Sequence, residues 1–290
     1  MAGREDLVTV GVDGTSKDDR AVDWAAEEAA RRGTGLHVLH AFWVIPMGVA
    51  GVALPVELAP HPALTERPVA RARAAHPDLA VTGEIVLEEP GSALVEASRR
   101  SALLVVGARG LGRIAGRLLG SVSHRVVSHA ECPVVVVRDL AQTPDGPVVV
   151  GVVPGDTPYE VLRFAFEHAS RRGLPVRLVH AEEFRYPPVG TRELRAAFEE
   201  MAAWVATEQA AALEELAEEW RGRYPGLEVE TVQSRRHPVE VLTDEGAEAS
   251  LLVVGSRARS GMTGHRLGSV ARGVLHGVPV TAVVRVTPDR

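Results

Sequence analysis

The chain is written twice. Val10–Ala41 lies without gaps on Val150–Ala181 at an offset of 140, and eleven of the 32 positions are identical. His76–Val122 lies equally without gaps on Tyr224–Val270, now at an offset of 148. Any fold available to one copy must therefore suit the other, which excludes a single 290-residue architecture without internal symmetry. The change of offset puts eight additional residues between the second and third strands of the second copy. The copies are a first domain over 1–141 and a second over 147–290, with Ala141–Pro147 as a Pro- and Gly-containing linker.

Within each copy the apolar pattern alternates between short strands and longer helices. Val8–Val12 is a β-branched run that ends in Asp13-Gly14-Thr15-Ser16. Asp18 or Ser16 is placed to cap a helix over Ala21–Arg32 that stops at Gly33, and Leu36–Ala41 is the next strand. A third strand over Val81–Leu87, a helix over Ser92–Arg100, a fourth strand at Leu103–Val106 and a last strand over Pro133–Arg138, matched by Pro279–Arg285, complete the unit. Strands separated by helices are joined by right-handed crossovers and lie parallel. The predicted fold is α/β: two tandem flavodoxin-like or Rossmann-like doubly wound domains, each with a five-stranded parallel sheet. Aromatic residues make up only 4% of the chain, which suits helices packed closely on such a sheet.

The copies differ most between their second and third strands. In the second copy Thr191–Arg223 reads as one long helix, with Met201, Trp204, Leu213, Leu216 and Trp220 as candidates for its buried side. In the first, Pro55, Pro60, Pro62 and Pro68 interrupt the corresponding region, so only Pro68–His76 is expected to be helical. Residues 44–67 are then either a flap over the site or an irregular loop.

After the fourth strand comes Gly107-x2-Gly110-x9-Gly120-Ser121. A buried strand that leads through glycines to a helix start is a setting in which backbone N–H groups cradle phosphate. Glycine would be needed there for positive φ and for close approach of an anion. This spacing resembles the ATP-binding signature of the universal stress protein family, and the chain as a whole resembles the tandem form of that family common in actinobacteria.

The resemblance implies a protein that binds ATP, with or without Mg²⁺, at the carboxyl edge of the sheet. Gly11 and Asp13 fall at the end of the first strand, where the family places an acidic residue near adenine and ribose. Ala41 corresponds to a backbone contact to adenine. Gly107, Gly110, Gly120, Ser121 and Val122 correspond to phosphate contacts, and Arg109, Arg113 and Arg117 lie in the same loop. In the second copy Gly255, Gly268, Ser269 and Val270 keep the pattern, but Asp13 becomes Val153 and Gly110 becomes Ala258. ATP is therefore expected mainly in the first domain. The resemblance also implies pairing of the two domains through their last strands, and it is compatible with a homodimer.

Other chemistry is poorly provided for. No Gly-x4-Gly-Lys-Ser/Thr and no Gly-x-Gly-x-x-Gly follows a first strand, and no His-Glu-x-x-His spacing suggests a metal. The net charge of −6 argues against nucleic acid as a partner. Cys132 is the sole cysteine and reads as a packing residue; His37 and His40 read as strand residues in core or edge packing. The first residues carry no apolar leader, and no apolar run approaches about 20 residues, so a cytoplasmic protein with no membrane partner is expected. No residue is poised as nucleophile or general base, so the reading is a nucleotide-dependent stress-response regulator or binding module and not an enzyme. A slow ATP-hydrolysing or nucleotidyl-transferring enzyme and a nucleotide-free interaction scaffold are the alternatives.

Overall fold

The computed structural model describes residues 7–42, 62–108, 119–183, 191–257 and 267–286. The chain divides into two compact units, the first running to Leu140 and the second starting at Ala141.

In the first unit β1 (Leu7–Val12) leads through a short 3-10 turn, Ser16–Asp18, into α1 (Asp19–Arg32), and β2 (Leu36–Phe42) follows. Then come α2 (Ala63–Ala75), β3 (Val81–Leu87), α3 (Pro90–Ala97), β4 (Ser101–Gly107), α4 (Ser121–His129) and β5 (Val134–Val137). The strands pair in parallel in the order β3-β2-β1-β4-β5. This is the doubly wound order, with its reversal between β1 and β4. Helices α1 and α2 pack together over one face, and α3 and α4 together over the other. The central strands are therefore covered on both sides, and Val8, Val10, Leu103, Leu104 and Val105 are fully buried.

The second unit repeats the plan with β6 (Val148–Gly151), α5 (Tyr159–Arg172), β7 (Val176–Ala181), α6 (Arg192–Arg223) and β8 (Val229–Ser234). It closes with α7 (Pro238–Ala247), β9 (Leu251–Arg257), α8 (Ser269–Val274) and β10 (Val280–Val286), and its strand order is β8-β7-β6-β9-β10. Even the ladder register is duplicated. Val8 faces Leu36 and Leu103, and Val148, 140 residues on, faces Val176 and Leu251. Gly33 and Gly173 end α1 and α5 in the same left-handed conformation, each at φ +66°. A left-handed residue there turns the chain back and lets its N–H reach the last turn's carbonyls.

The sequence expectation needs correction in three places. Helix α2 begins at Ala63, five residues before Pro68, which lies inside it and is buried. Proline removes one backbone bond, yet the helix is held by side-chain contacts to α1: Arg67 Nη1 lies 2.6 Å from Asp19 Oδ1, and Arg71 grips both oxygens of Asp23 at 2.5 and 2.6 Å. Residues 44–61 of the supposed flap lie outside the described residues. Helix α3 starts at Pro90, because Glu89 caps it by accepting from the Gly91 and Ser92 N–H groups at 3.0 and 2.8 Å. It ends at Ala97, before the Arg100 expected from sequence.

The third correction concerns α6. Thr191 caps it, and Leu213 and Trp220 are buried as expected, but Leu216 is only half-buried and Met201 and Trp204 are 45% and 64% exposed. Near its C-terminus this helix packs on α5. There Trp220 stacks against Phe166 and Tyr224, with ring centroids 4.7 and 5.9 Å away.

Candidate functional site

At the carboxyl end of β1 the chain must turn away from the sheet, and it does so around a buried carboxylate. Asp18 Oδ2 accepts the N–H groups of Asp13 at 2.7 Å and Gly14 at 3.0 Å. Asp13 Oδ1 in turn accepts from the Thr15 N–H at 2.9 Å. Gly14 has φ +84°, so the backbone there favours glycine, and a Cβ on it would also press on Leu64 Cδ2 at 2.6 Å. Asp18 was expected as a helix cap. It stands at the N-cap position of α1, but its side chain is spent on the Asp13–Gly14 loop, and Thr15 caps the 3-10 turn instead.

This places two carboxyl groups against each other. Burial, followed by the charge of Asp13, pushes the Asp18 carboxyl up to about 7. The second oxygen of Asp13, Oδ2, is buried and accepts from no N–H or hydroxyl group among the described residues, while the Asp18 carboxyl is hydrogen-bonded to the Asp13 side chain when it holds its proton. A buried carboxylate oxygen without a donor is costly, and its natural complement is an O–H or N–H group of a ligand.

Across the reversal point, β4 ends at Gly107, and the backbone is tied to the start of α4. The Gly120 N–H donates to Ala108 O at 3.0 Å, and the Ser123 hydroxyl donates to Gly107 O at 2.6 Å. Gly120 has φ −62° and ψ +155°, ordinary extended backbone, and positive φ is likewise absent at Gly107, Gly255 and Gly268. The expected conformational reason for glycine at these four positions does not hold, and close approach is the reason that remains. The amide of Gly120 is also already engaged. What α4 offers an anion is the N–H groups of Ser121, Val122 and Ser123, which have no partner within a helix and sit at its positive end. Ser123 was missed in the sequence; only its spacing of 16 from Gly107 could have suggested it.

Of the other expected residues, Gly11 lacks a side chain for packing reasons, since a Cβ there would lie 2.8 Å from Leu94 Cδ2. Ala41 sits in register with Val86 one residue before β2 ends. Its neighbour His40 is buried, with Nδ1 3.0 Å from Val12 O. The fold thus brings Gly11, Asp13, Ala41, Gly107, Gly120, Ser121 and Val122 to one edge of the first unit's sheet. Arg109, Gly110, Arg113 and Arg117 lie outside the described residues.

The equivalent edge of the second unit is built differently. Val153 replaces Asp13 and is half exposed, and the loop is closed by a hydroxyl. Thr157 Oγ1 accepts the Val153 N–H at 2.7 Å and donates to Val153 O at 2.9 Å. Gly255 ends up beside Val161, Gly268 is extended with open space around it, and Ser269 and Val270 open α8. Between the ends of β6, β7 and β9 lies a cleft of about 160 Å³, with Leu242 and several valines in its lining.

The family model of the universal stress protein family matches residues 6–138 and again 146–285. The chain belongs to the universal stress protein family. The universal stress protein Rv2005c of Mycobacterium tuberculosis is 36% identical over 299 residues, covering 96% of both chains. A universal stress protein from Archaeoglobus fulgidus has the same fold, with a TM-score of 0.62 at 18% identity over 98% of this chain and 97% of that one. Protein PA1789 of Pseudomonas aeruginosa, of unknown function, matches with a TM-score of 0.68 at 14% identity over 98% of this chain and 93% of its own. Among the described residues of this universal stress protein no helix is long and apolar enough to cross a membrane, and no group of three or more His, Cys, Asp or Glu side chains is arranged to hold a metal.

Proposed function

We propose that this universal stress protein binds an adenine nucleotide, ATP above others, in its first unit, and acts as a nucleotide-dependent stress-response module in the cytoplasm. The observation that carries the reading is the buried Asp13 Oδ2, which accepts from no N–H or hydroxyl group among the described residues, at the point where β1 and β4 diverge. Ligands of doubly wound sheets sit at that crevice. Asp13 is the acceptor for a nucleoside hydroxyl, the Ala41 backbone meets the adenine edge, and Gly107 leaves room for the ligand. The N–H groups of Ser121 and Val122 receive phosphate, with Gly110 and the arginines Arg109, Arg113 and Arg117 completing the phosphate site, and Mg²⁺ balancing its charge. The Gly120 amide closes the loop and does not bind. The second unit, with Val153 and Ala258, binds nucleotide poorly despite keeping Gly255, Gly268, Ser269 and Val270.

Calorimetric titration with ATP and Mg²⁺ tests this. One site per chain is expected, weakened about tenfold or more by Asp13→Ala, the loss of one charge-assisted hydrogen bond. No heat, or an unchanged affinity in Asp13→Ala, would refute it.

A further inference from the structure

The cleft of the second unit occupies the place of a nucleotide site but has Val153 where the first unit has the acceptor Asp13. Its walls include Val152, Val161, Val179, Leu242 and Val254, which present hydrocarbon, and Gly255, Val270 and Ala271 line it at the end of β9 and the start of α8. The loop at its mouth has no backbone group to spare, because the Val153 N–H and carbonyl are both engaged by the Thr157 hydroxyl and the carbonyl also accepts the Asp156 N–H. Pro238, which opens α7 against the cleft, brings no N–H. Asp156 lines the exposed rim.

Size narrows the ligand further. Sites for whole drug-sized ligands span roughly 300–1,000 Å³. A volume of about 160 Å³ is closer to an engineered apolar cavity of about 150 Å³ that takes up benzene. We propose that this cleft binds an uncharged aromatic compound of one or two fused rings, giving the second unit a ligand of its own class. The ring is held by desolvation against the valine and leucine walls, and selectivity against nucleotides comes from the missing acceptor. This goes beyond the nucleotide reading of the first unit and does not depend on it.

Indole serves as the probe, titrated into the full chain with ¹³C-labelled valine and leucine methyl groups. Saturable shifts at the Val153, Val161 and Leu242 methyls are expected, and excess ATP should leave them in place. Ala181→Phe, at the half-exposed end of β7 on the cleft wall, should weaken indole by about tenfold or more while the methyl spectrum of the first unit stays unchanged. If that variant does not fold, Val153→Asp is read instead. It sets a carboxylate at an exposed position of the mouth and should also weaken indole several-fold. Absence of saturable shifts at these methyls, displacement of indole by ATP, or full affinity in the folded variants would overturn the proposal. Because calorimetry with ATP reads the first unit, either reading can fail without the other.

Discussion

Two carboxyl groups that share one small volume at the end of β1 give this protein a titration that its surface acids lack. Asp18 is 4% exposed and its carboxyl is raised to about 7, by burial first and then by Asp13. A raised folded value means that the native state holds the proton where the unfolded chain has released it. The contribution to stability is then fully present below about pH 4 and is lost as pH rises through about 7. Asp18→Asn keeps an acceptor for the Asp13 and Gly14 amides but cannot ionise. Urea titrations at pH 5 and pH 8 should show the variant gaining stability relative to the parent at the higher pH; a pH-independent difference would contradict the assignment. Gly33 and Gly173 offer a second test at this scale. Both have φ +66° and open space where a Cβ would go. Alanine at either should cost about 1 kcal/mol through backbone strain alone, equally in both units.

At the scale of elements, the long helix α6 separates packing from mere amphipathic appearance. Trp220 is 2% exposed and wedged between Phe166 and Tyr224, whereas Trp204, four turns earlier, is 64% exposed. Trp220→Ala should cost about 3–5 kcal/mol in denaturant unfolding, and Trp204→Ala within about 0.5 kcal/mol of nothing. The supposed linker has an element-scale surprise as well. A Cβ on Gly146 would lie 2.1 Å from the carbonyl oxygen of Glu248, and the Ser250 N–H donates to Pro147 O at 3.0 Å. The linker's last residues are thus docked at the end of α7 in the second unit. Because the obstacle is backbone, Gly146→Ala should destabilise by about 1–3 kcal/mol, measurable in the same titrations. The regular elements were legible before any coordinates: β3 has the limits read from its apolar run, and both glycine helix stops stand where expected. The start of α2 was not. Its local signal is four prolines, and the arginine contacts to α1 that outweigh Pro68 join residues 48 apart.

For the whole molecule, duplication followed by divergence makes a comparison that one domain could not. If Val153 and Ala258 are what weakens the second site, the double variant Val153→Asp with Ala258→Gly should raise the calorimetric stoichiometry of ATP from one per chain toward two. A stoichiometry fixed at one would place the cause elsewhere, for instance in the closure of the loop by Thr157. The sequence alone determined the repeat, the α/β alternation, the strand order's compatibility with a crevice ligand and the family. These rest on periodicity and on short-range turn and cap chemistry, which act between neighbours in the chain. Tertiary structure decided which acid is buried, that the Gly120 amide is spent on Ala108 and which tryptophan of α6 meets the core. Each of these depends on desolvation or contact between segments that only folding brings together, and no local pattern encodes it.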